Sequence, residues 1–429
     1  MVVKLDSLGD PFYEGSVQQL FAVPGDERLM VAKTTDRGSV FDVGALFEIS
    51  GHDVNRAVFR QVLYTRIGEA AHWAELQSKI EADPSLDDSI KDWIAPELAR
   101  CLDRGARTHH VGMPDAVTGA VATSGVPENP SAANVVRRFQ ILKPERVSFG
   151  EASLFDYSRF PHEDHFVVPL EVIVRFGITS ASSVYRKYLK LDESAKRNYE
   201  LELGVSDRLE AWKTLPRPIL DFTSKFEPED RMVSKQEALT MSGLTGENFI
   251  RLGQLAILGA LAVRDLVGDI GLELWDLKWE FARAGDDLLF VDTIDTDSIR
   301  ATRVVDFNGR RYINHYNKQA MRDYFAVFHP QWISAINDTK REAASAGVAF
   351  TEILGKKQAE GQAPPNPAVD PAFLEIQEKK LGAIRDHLTG KCSAGESIHS
   401  LDLAAISEIC YYEERGLLDA FGKINGLAG

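Results

Sequence analysis

Residues 274–300 read LWDLKWEFARAGDDLLFVDTIDTDSIR, and this stretch restricts the fold most. Trp275, Leu277, Trp279 and Phe281 alternate with Asp276, Lys278 and Glu280, the period-2 signature of a strand with two unlike faces. Ala284-Gly285-Asp286-Asp287 supplies turn chemistry, and Leu288–Asp292 resumes as a second strand. A loop centred on Asp286 sets Glu280 directly opposite Asp292, with Cβ atoms about 5 Å apart. Two carboxylates held that close repel unless a cation or a proton lies between them. Lys278, one pleat away on the same face, is a counter-charge or a phosphate ligand. Asp295, Asp297 and Arg300 follow where the second strand runs out. A magnesium–phosphate site and a solvated acidic hairpin are the two readings of this pattern.

Composition removes several function classes. The chain has 429 residues, 44% hydrophobic and 26% charged, which allows two or three globular domains or one two-lobed unit. A net charge of -15 argues against a nucleic-acid partner. Cys101, Cys392 and Cys410 have no CxxC spacing and give no disulfide or zinc framework. The opening MVVKLDSLGD lacks the apolar core of a signal peptide. The longest apolar run, Leu252–Val263, is too short to span a bilayer and reads as a buried helix. The expected compartment is cytoplasmic, without membrane contact.

Along the chain, Phe12–Val23 and Arg28–Lys33 read as strands joined by a turn at residues 24–27. Residues 34–42 form a polar segment leaving a strand end, where binding groups collect; a plain capped turn is the blander reading. Residues 52–104 carry helical periodicity. The pair His109-His110 ends that block and reads as core or loop histidines rather than metal ligands. Gly112–Asn134 is rich in small residues and predicts a long loop, with a strand near 135–143 and irregular chain to His165. Phe166–Arg175 is the most hydrophobic strand candidate, with Pro169 marking a bend or edge. Leu215–Asp230 is a Pro-bounded segment whose Lys225, Glu227, Glu229 and Asp230 are either solvated or site-forming. Helices are expected over 235–267, 318–328, 331–346, 373–388 and 401–421, with a linker at 358–371. The C-terminal helices pack on the body or form a subunit contact, which leaves a homo-oligomer open.

Four segments, in order, resemble the SAICAR synthetase family of ATP-dependent ligases in purine biosynthesis. Tyr13-Glu14-Gly15-Ser16-Val17 sits where the family has its glycine-containing nucleotide loop, and Thr35–Asp42 resembles its TDR-x-S-x-x-D segment. Val168–Arg175 resembles its PLEVVVR strand. Asp276–Phe281 and Asp292–Arg300 resemble its DFKLEFG and DExxxDxxR segments. The resemblance covers roughly residues 10–390, interrupted by an insertion at 112–165.

The resemblance implies a two-lobed α+β fold, ATP-grasp-related, with antiparallel sheets and an added helical C-terminus. Its regions would be a β-rich lobe with helices at 1–110, an insertion at 111–165, an ATP- and substrate-binding lobe at 166–330 and a helical region at 331–429. It implies ATP and Mg²⁺ as cofactors, with Glu280 and Asp292 holding the metal. Gly15, Ser16, Lys33, Lys225, Glu227 and Lys278 would meet the nucleotide. Arg175 with Ser180 or Ser182 would hold a substrate phosphate. Asp36, Arg37, Ser39, Asp42, Asp297 and Arg300 would line the acceptor side, with Lys278, Asp297 and Arg300 nearest the chemistry. The implied substrates are aspartate and a phosphoribosyl-imidazole-type carboxylate. Three departures keep alternatives open. Ser16 and Gln18 replace phosphate-contacting cations, with Lys33 the candidate substitute; Thr293 replaces a glutamate; and the chain is longer than compact members. The alternatives are a paralogous amide ligase on another carboxylate and amine, or a non-catalytic nucleotide-binding protein.

Overall fold

The alternation at 274–284 becomes a strand in the computed structural model, which describes residues 1–227, 230–346, 348–390 and 394–427. Glu273–Ala284 turns at Gly285-Asp286 and returns as Asp287–Val291, with Ala284 pairing Asp287. This hairpin lies within an eight-stranded sheet whose neighbours are all antiparallel. The central strand, Phe166–Ile178, pairs Lys213–Ser224 on one side and Glu273–Ala284 on the other. Ile299–Phe307 and Arg310–His315 extend the sheet beyond the hairpin, and Gly426–Leu427 adds a last short strand.

Proline explains two departures from expectation. Pro169 lies inside a central strand rather than at an edge, where the register against Glu273–Ala284 shifts between Val167 and Glu171. Its missing N–H is absorbed by that bulge. Pro216 and Pro218 obscured the strand Lys213–Ser224; they fall where the register shifts opposite Arg175–Gly177.

The sheet has one apolar face. Leu170, Val172, Val174, Phe222, Leu277, Trp279 and Phe281 point into the main core, as does the helix Gly246–Gly268. Thr245 starts that helix by accepting the Asn248 amide at 3.2 Å, an ordinary N-cap. Gly259 faces the sheet, and a Cβ there would lie 2.6 Å from the Phe290 ring and 3.0 Å from that of Trp279. Only glycine permits so close an approach of helix to sheet.

A second, six-stranded antiparallel sheet is ordered Tyr13–Glu14, Gln18–Val23, Asp26–Thr34, Ala133–Arg137, His110–Pro114 and Val121–Ala122. Its first turn is tighter than expected: Val23 pairs Asp26 around Pro24-Gly25, and Gly25 takes φ 84°. The stretch 112–134 is less of a loop than its composition suggests, since three strands of this sheet draw on it. Likewise, the hairpin Glu145–Phe149/Ala152–Asp156 stands where irregular chain was expected.

Residues 52–104 form three helices, His52–Gly68, Ala70–Ala82 and Asp88–Arg104. The C-terminal helices pack on the body: Phe373, Leu381, Tyr412 and Phe421 share one apolar cluster with Leu63 and Trp279. The chain is α+β, built on antiparallel sheets. Among the described residues no helix is long and apolar enough to cross a membrane. Cys392 and Glu229 lie outside the described residues.

Candidate active site

The second face of the large sheet is polar, and strand register explains why. Glu171 pairs Glu280, Ile173 pairs Lys278 and Arg175 pairs Asp276 across one interface. Thr223 and Asp221 stand opposite Glu171 and Ile173 across the other, and Arg300 pairs Asp276 from the far strand. Side chains two apart share a face, so four strands deliver these groups to one surface.

At one end of this surface Glu280 meets Asp292, though by a different route from the one expected. The hairpin turn holds two residues, so Glu280 pairs Val291 rather than Asp292. A one-residue slip would send Asp292 to the apolar face. Instead Asp292 leaves the ladder in the left-handed region, φ 62°, and its carboxyl returns to hydrogen-bond with that of Glu280. A non-glycine residue there costs roughly 1–2 kcal/mol. Lys225 pairs with Glu280 and stands 3.7 Å from Asp292 Oδ2. Lys278 pairs with Glu171 and stands 3.8 Å from Glu280; Thr223 Oγ1 donates to Glu171 at 2.7 Å.

Burial, and then the charge of Asp292, push the Glu280 carboxyl up to about 8. Burial also works against the Asp292 anion, but Lys225 and the hydrogen bond from Glu280 prevail and hold it low. Burial opposes the charge of Lys225 as well; Glu280 and Asp292 outweigh it and keep the ammonium protonated. A proton held between two carboxylates marks a place for a cation. Among the described residues no three metal-ligating side chains cluster, so a closed protein cage is not built. Magnesium does not need one: it is held by one or two carboxylates together with phosphate oxygens and water. The donor set of Glu280 and Asp292 fits that ion.

At the other end, Arg175 donates to Asp221 at 2.5 Å and to Asp276 at 3.0 Å. Arg300 donates to the same Asp276 oxygen at 2.6 Å and to Thr179 at 3.2 Å. Ser182 and Ser183 face the Arg175 guanidinium at 3.5 and 3.4 Å, while Ser180 lies half-buried in the preceding turn. Arg186 and Arg322 lie within the field of Arg300, and Lys318 lies in turn within that of Arg322 and Asp297. Burial lowers Arg186, Lys318 and Arg322 first; Arg300 then lowers Arg186 and Arg322, and Arg322 lowers Lys318 despite the opposing charge of Asp297. Cations that depress one another in a partly buried cleft form a ready anion site.

Between the two ends stand Asp295 and Asp297. Asp295 is fully buried and accepts from Arg56 at 3.0 Å, with Arg60 at 3.7 Å. Asp297 has Arg56 at 3.6 Å and His52 at 3.6 Å; burial opposes its charge, but these partners bring it well below the usual carboxylate range. Ser39, His52, Asp297, Asn317, Lys318 and Gln377 line a common pocket.

The remaining sequence candidates are not drawn into these clusters. Asp36 accepts the Asp53 amide at 3.0 Å at the start of the first long helix, and burial pushes the Asp53 carboxyl up to about 6. Arg37 pairs with Glu14 at 3.0 Å, and the exposed Asp42 pairs with Lys340. Glu227 holds Arg231 and accepts from Tyr157 at 2.8 Å. Gly15 donates to the Gln18 carbonyl at 2.8 Å beside Ser16 in a hairpin loop. Lys33 lies half-buried on the strand Asp26–Thr34, its neighbour Thr34 turned toward Arg60.

Sequence reasoning missed Asp276, Asp221, His52, Arg56, Arg60, Arg186, Lys318 and Arg322. Asp276 was readable, since it shares the alternation of Lys278 and Glu280. Arg56 and Arg60, four apart on one helix face, carried a weaker signal.

Three comparisons bear on this geometry. The SAICAR synthetase family model matches residues 136–338, which hold both ends of the polar face. This segment belongs to the SAICAR synthetase family. A protein of Archaeoglobus fulgidus assigned as a phosphoribosylaminoimidazole-succinocarboxamide synthase is 28% identical over 267 residues, 62% of this chain and 70% of that one. The phosphoribosylaminoimidazole-succinocarboxamide synthase of Thermoplasma acidophilum is 26% identical over 220 residues, 51% of this chain and 65% of that protein. The chain thus spans about two thirds of the length of these curated relatives. Among solved structures, the SAICAR synthase of Saccharomyces cerevisiae complexed with SAICAR aligns with TM-score 0.49 and 17% identity, covering 91% of this chain and 98% of that one. A SAICAR synthetase in complex with ADP aligns with TM-score 0.39 and 17% identity, covering 72% and 89%.

Proposed function

We propose that the chain is an ATP- and magnesium-dependent carbon–nitrogen ligase that joins aspartate to a phosphoribosyl-aminoimidazole-type carboxylate through an acyl phosphate. The observation that carries this reading is the single polar face. It has a proton-sharing carboxylate pair with two lysines at one end and an arginine cluster at the other. The family match and the names of the relatives support the substrate class.

A carboxylate oxygen is a poor leaving group, so amide formation needs an activated acyl group. The substrate carboxylate attacks the γ-phosphorus of ATP and ADP leaves; the aspartate amine then attacks the acyl carbon, loses a proton, and phosphate leaves. Positioning and charge neutralisation do most of such catalysis. Lys225 and Lys278 face the transferring phosphoryl group. Val167, Ala282, Leu289 and Val291 form a buried apolar cluster beside Glu280 on the same face. Arg175 and Arg300, held on Asp276, receive the ribotide phosphate with Ser182. The pocket of Ser39, His52, Asp297 and Lys318 takes the amino acid. Magnesium, held by Glu280 and Asp292, supplies charge neutralisation on the phosphates.

A second reading, a paralogous ligase acting on another carboxylate and amine, is favoured by the uncharged loop at Gly15–Val17 and by Thr293. Cytoplasmic residence belongs to the same proposal. The deciding assay is ADP release with Mg-ATP, L-aspartate and carboxyaminoimidazole ribotide, each omitted in turn. Release that needs all three is expected. Magnesium-dependent ATP binding without release would favour the paralogue, and no ATP binding would overturn both readings.

A further inference from the structure

The magnesium pair depends on a backbone conformation that Asp292 does not favour, and the chain holds that conformation from outside the 136–338 segment. The Tyr64 hydroxyl, on the helix His52–Gly68, donates to the Asp292 carbonyl at 2.9 Å and lies 3.2 Å from that of Val291. The His109 ring makes a second hydrogen bond to the Asp292 backbone, and the His109 amide donates to the Phe290 carbonyl at 2.9 Å. Thr108 bridges Phe290 in parallel, and the Phe290 amide donates to Arg107 at 3.0 Å, so residues 107–109 splint the end of the strand. Tyr64 packs edge-on to His109 and stacks on His110, with centroids 5.5 Å apart in both cases. His110 meets Gln61 at 2.6 Å, and Gln61 donates to the carbonyls of Ala122 and Gly125. All four side chains are buried or nearly so.

We propose that Tyr64 and His109 are positioning residues that fix the Asp292 carbonyl in its left-handed turn, so that the carboxylate meets Glu280 and the magnesium site is pre-formed. The paired histidines thereby acquire a role that is neither metal ligation nor simple packing. Without the two donors the 292–293 peptide is free to relax, and the carboxylate swings off the Glu280 face. This rests on the ligase reading above, because it presumes that Glu280 and Asp292 hold the metal.

The test is calorimetric titration of a non-hydrolysable ATP analogue into wild type, Tyr64→Phe, His109→Leu and His109→Gln at graded magnesium. The expected result is a tenfold or greater rise in the magnesium needed for half-maximal binding in Tyr64→Phe and His109→Leu. Magnesium-free affinity should stay within twofold, and His109→Gln, which keeps a donor, should recover most of the loss. An unchanged magnesium titration in both deletion variants would overturn the proposal. So would equal losses with and without magnesium, which would make the two residues general supports. Wild type that binds the analogue without regard to magnesium would instead overturn the metal assignment of the ligase reading.

Discussion

Two buried ionic clusters in this molecule look alike and behave differently. In the C-terminal region Lys380 is met by Glu408 and the His315 carbonyl, while Gln377 donates to Glu408 at 3.2 Å. The lysine and glutamate side chains are 1% and 2% exposed, so one cation answers one anion in a closed space. On the polar face three carboxylates, Glu171, Glu280 and Asp292, share Lys225 and Lys278. Lys278 and Asp292 are each 39% exposed, so the group is open, and its two cations answer three carboxyls, one of which keeps a proton. Balanced charge behind closed walls is architecture. A carboxyl that keeps a proton for want of a cation, at an opening, is a place for a cation to arrive.

The largest effect expected from this contrast is on turnover. Glu280→Ala or Asp292→Ala should lower kcat/KM by about a thousandfold or more, roughly 4 kcal/mol of transition-state stabilisation. Circular dichroism and melting temperature should stay near wild type; activity retained in both variants would break the metal assignment. Lys380→Met should do the reverse. It leaves Glu408 buried without its cation and should cost about 3–5 kcal/mol in denaturant unfolding, with kcat/KM of the surviving folded protein little changed.

A third, smaller effect concerns pH. Burial pushes the Asp323 carboxyl up to about 7 while Gln319 and Asn425 donate to it, and His315 and Lys380 stand nearby. A folded-state value above the unfolded one means stabilisation that is full at low pH and lost as pH rises toward about 7. Asp323→Asn should therefore lack this loss, so that its stability rises relative to wild type by on the order of 1–3 kcal/mol between about pH 4 and 7. His315, held down to about 3 by burial, has the opposite sign and should tilt both proteins alike, since it loses stability as pH falls below its unfolded value. Identical slopes would remove Asp323 from the account. The smallest effect expected is for Lys33→Ala, a several-fold weakening of ATP binding by calorimetry. Unchanged affinity would leave the loop cations of the family without a substitute here.

How far the sequence carried the reading depended on the range of each interaction. Period-2 alternation at 274–284 and a nearly continuous apolar run at 166–175 revealed two site strands, because both signals are local. Pro216 and Pro218 hid the third, since a proline signal does not say that a bulge will absorb it. The meeting of Glu280 and Asp292 was anticipated, but with the wrong register. A four-residue turn segment does not reveal whether two or three residues form the loop. Arg56, Arg60 and Tyr64 escaped because the site residues they hold, Asp295 and Asp292, lie more than two hundred positions away. The expectation that Arg175 works with a serine of 180–183 came from the family resemblance, and Ser182 and Ser183 do face its guanidinium.

The turn at Gly285-Asp286 also sets a limit on how this chain can vary. One residue inserted there would move every side chain of Asp287–Val291 to the other face, burying Asp287 among aromatics and exposing Phe290. The hairpin Glu145–Phe149/Ala152–Asp156, whose first strand is fully exposed, has no such gearing. In a library of single-residue insertions, the two turns should differ as a ratchet differs from a hinge. Length is the constrained quantity at one, and a free parameter at the other.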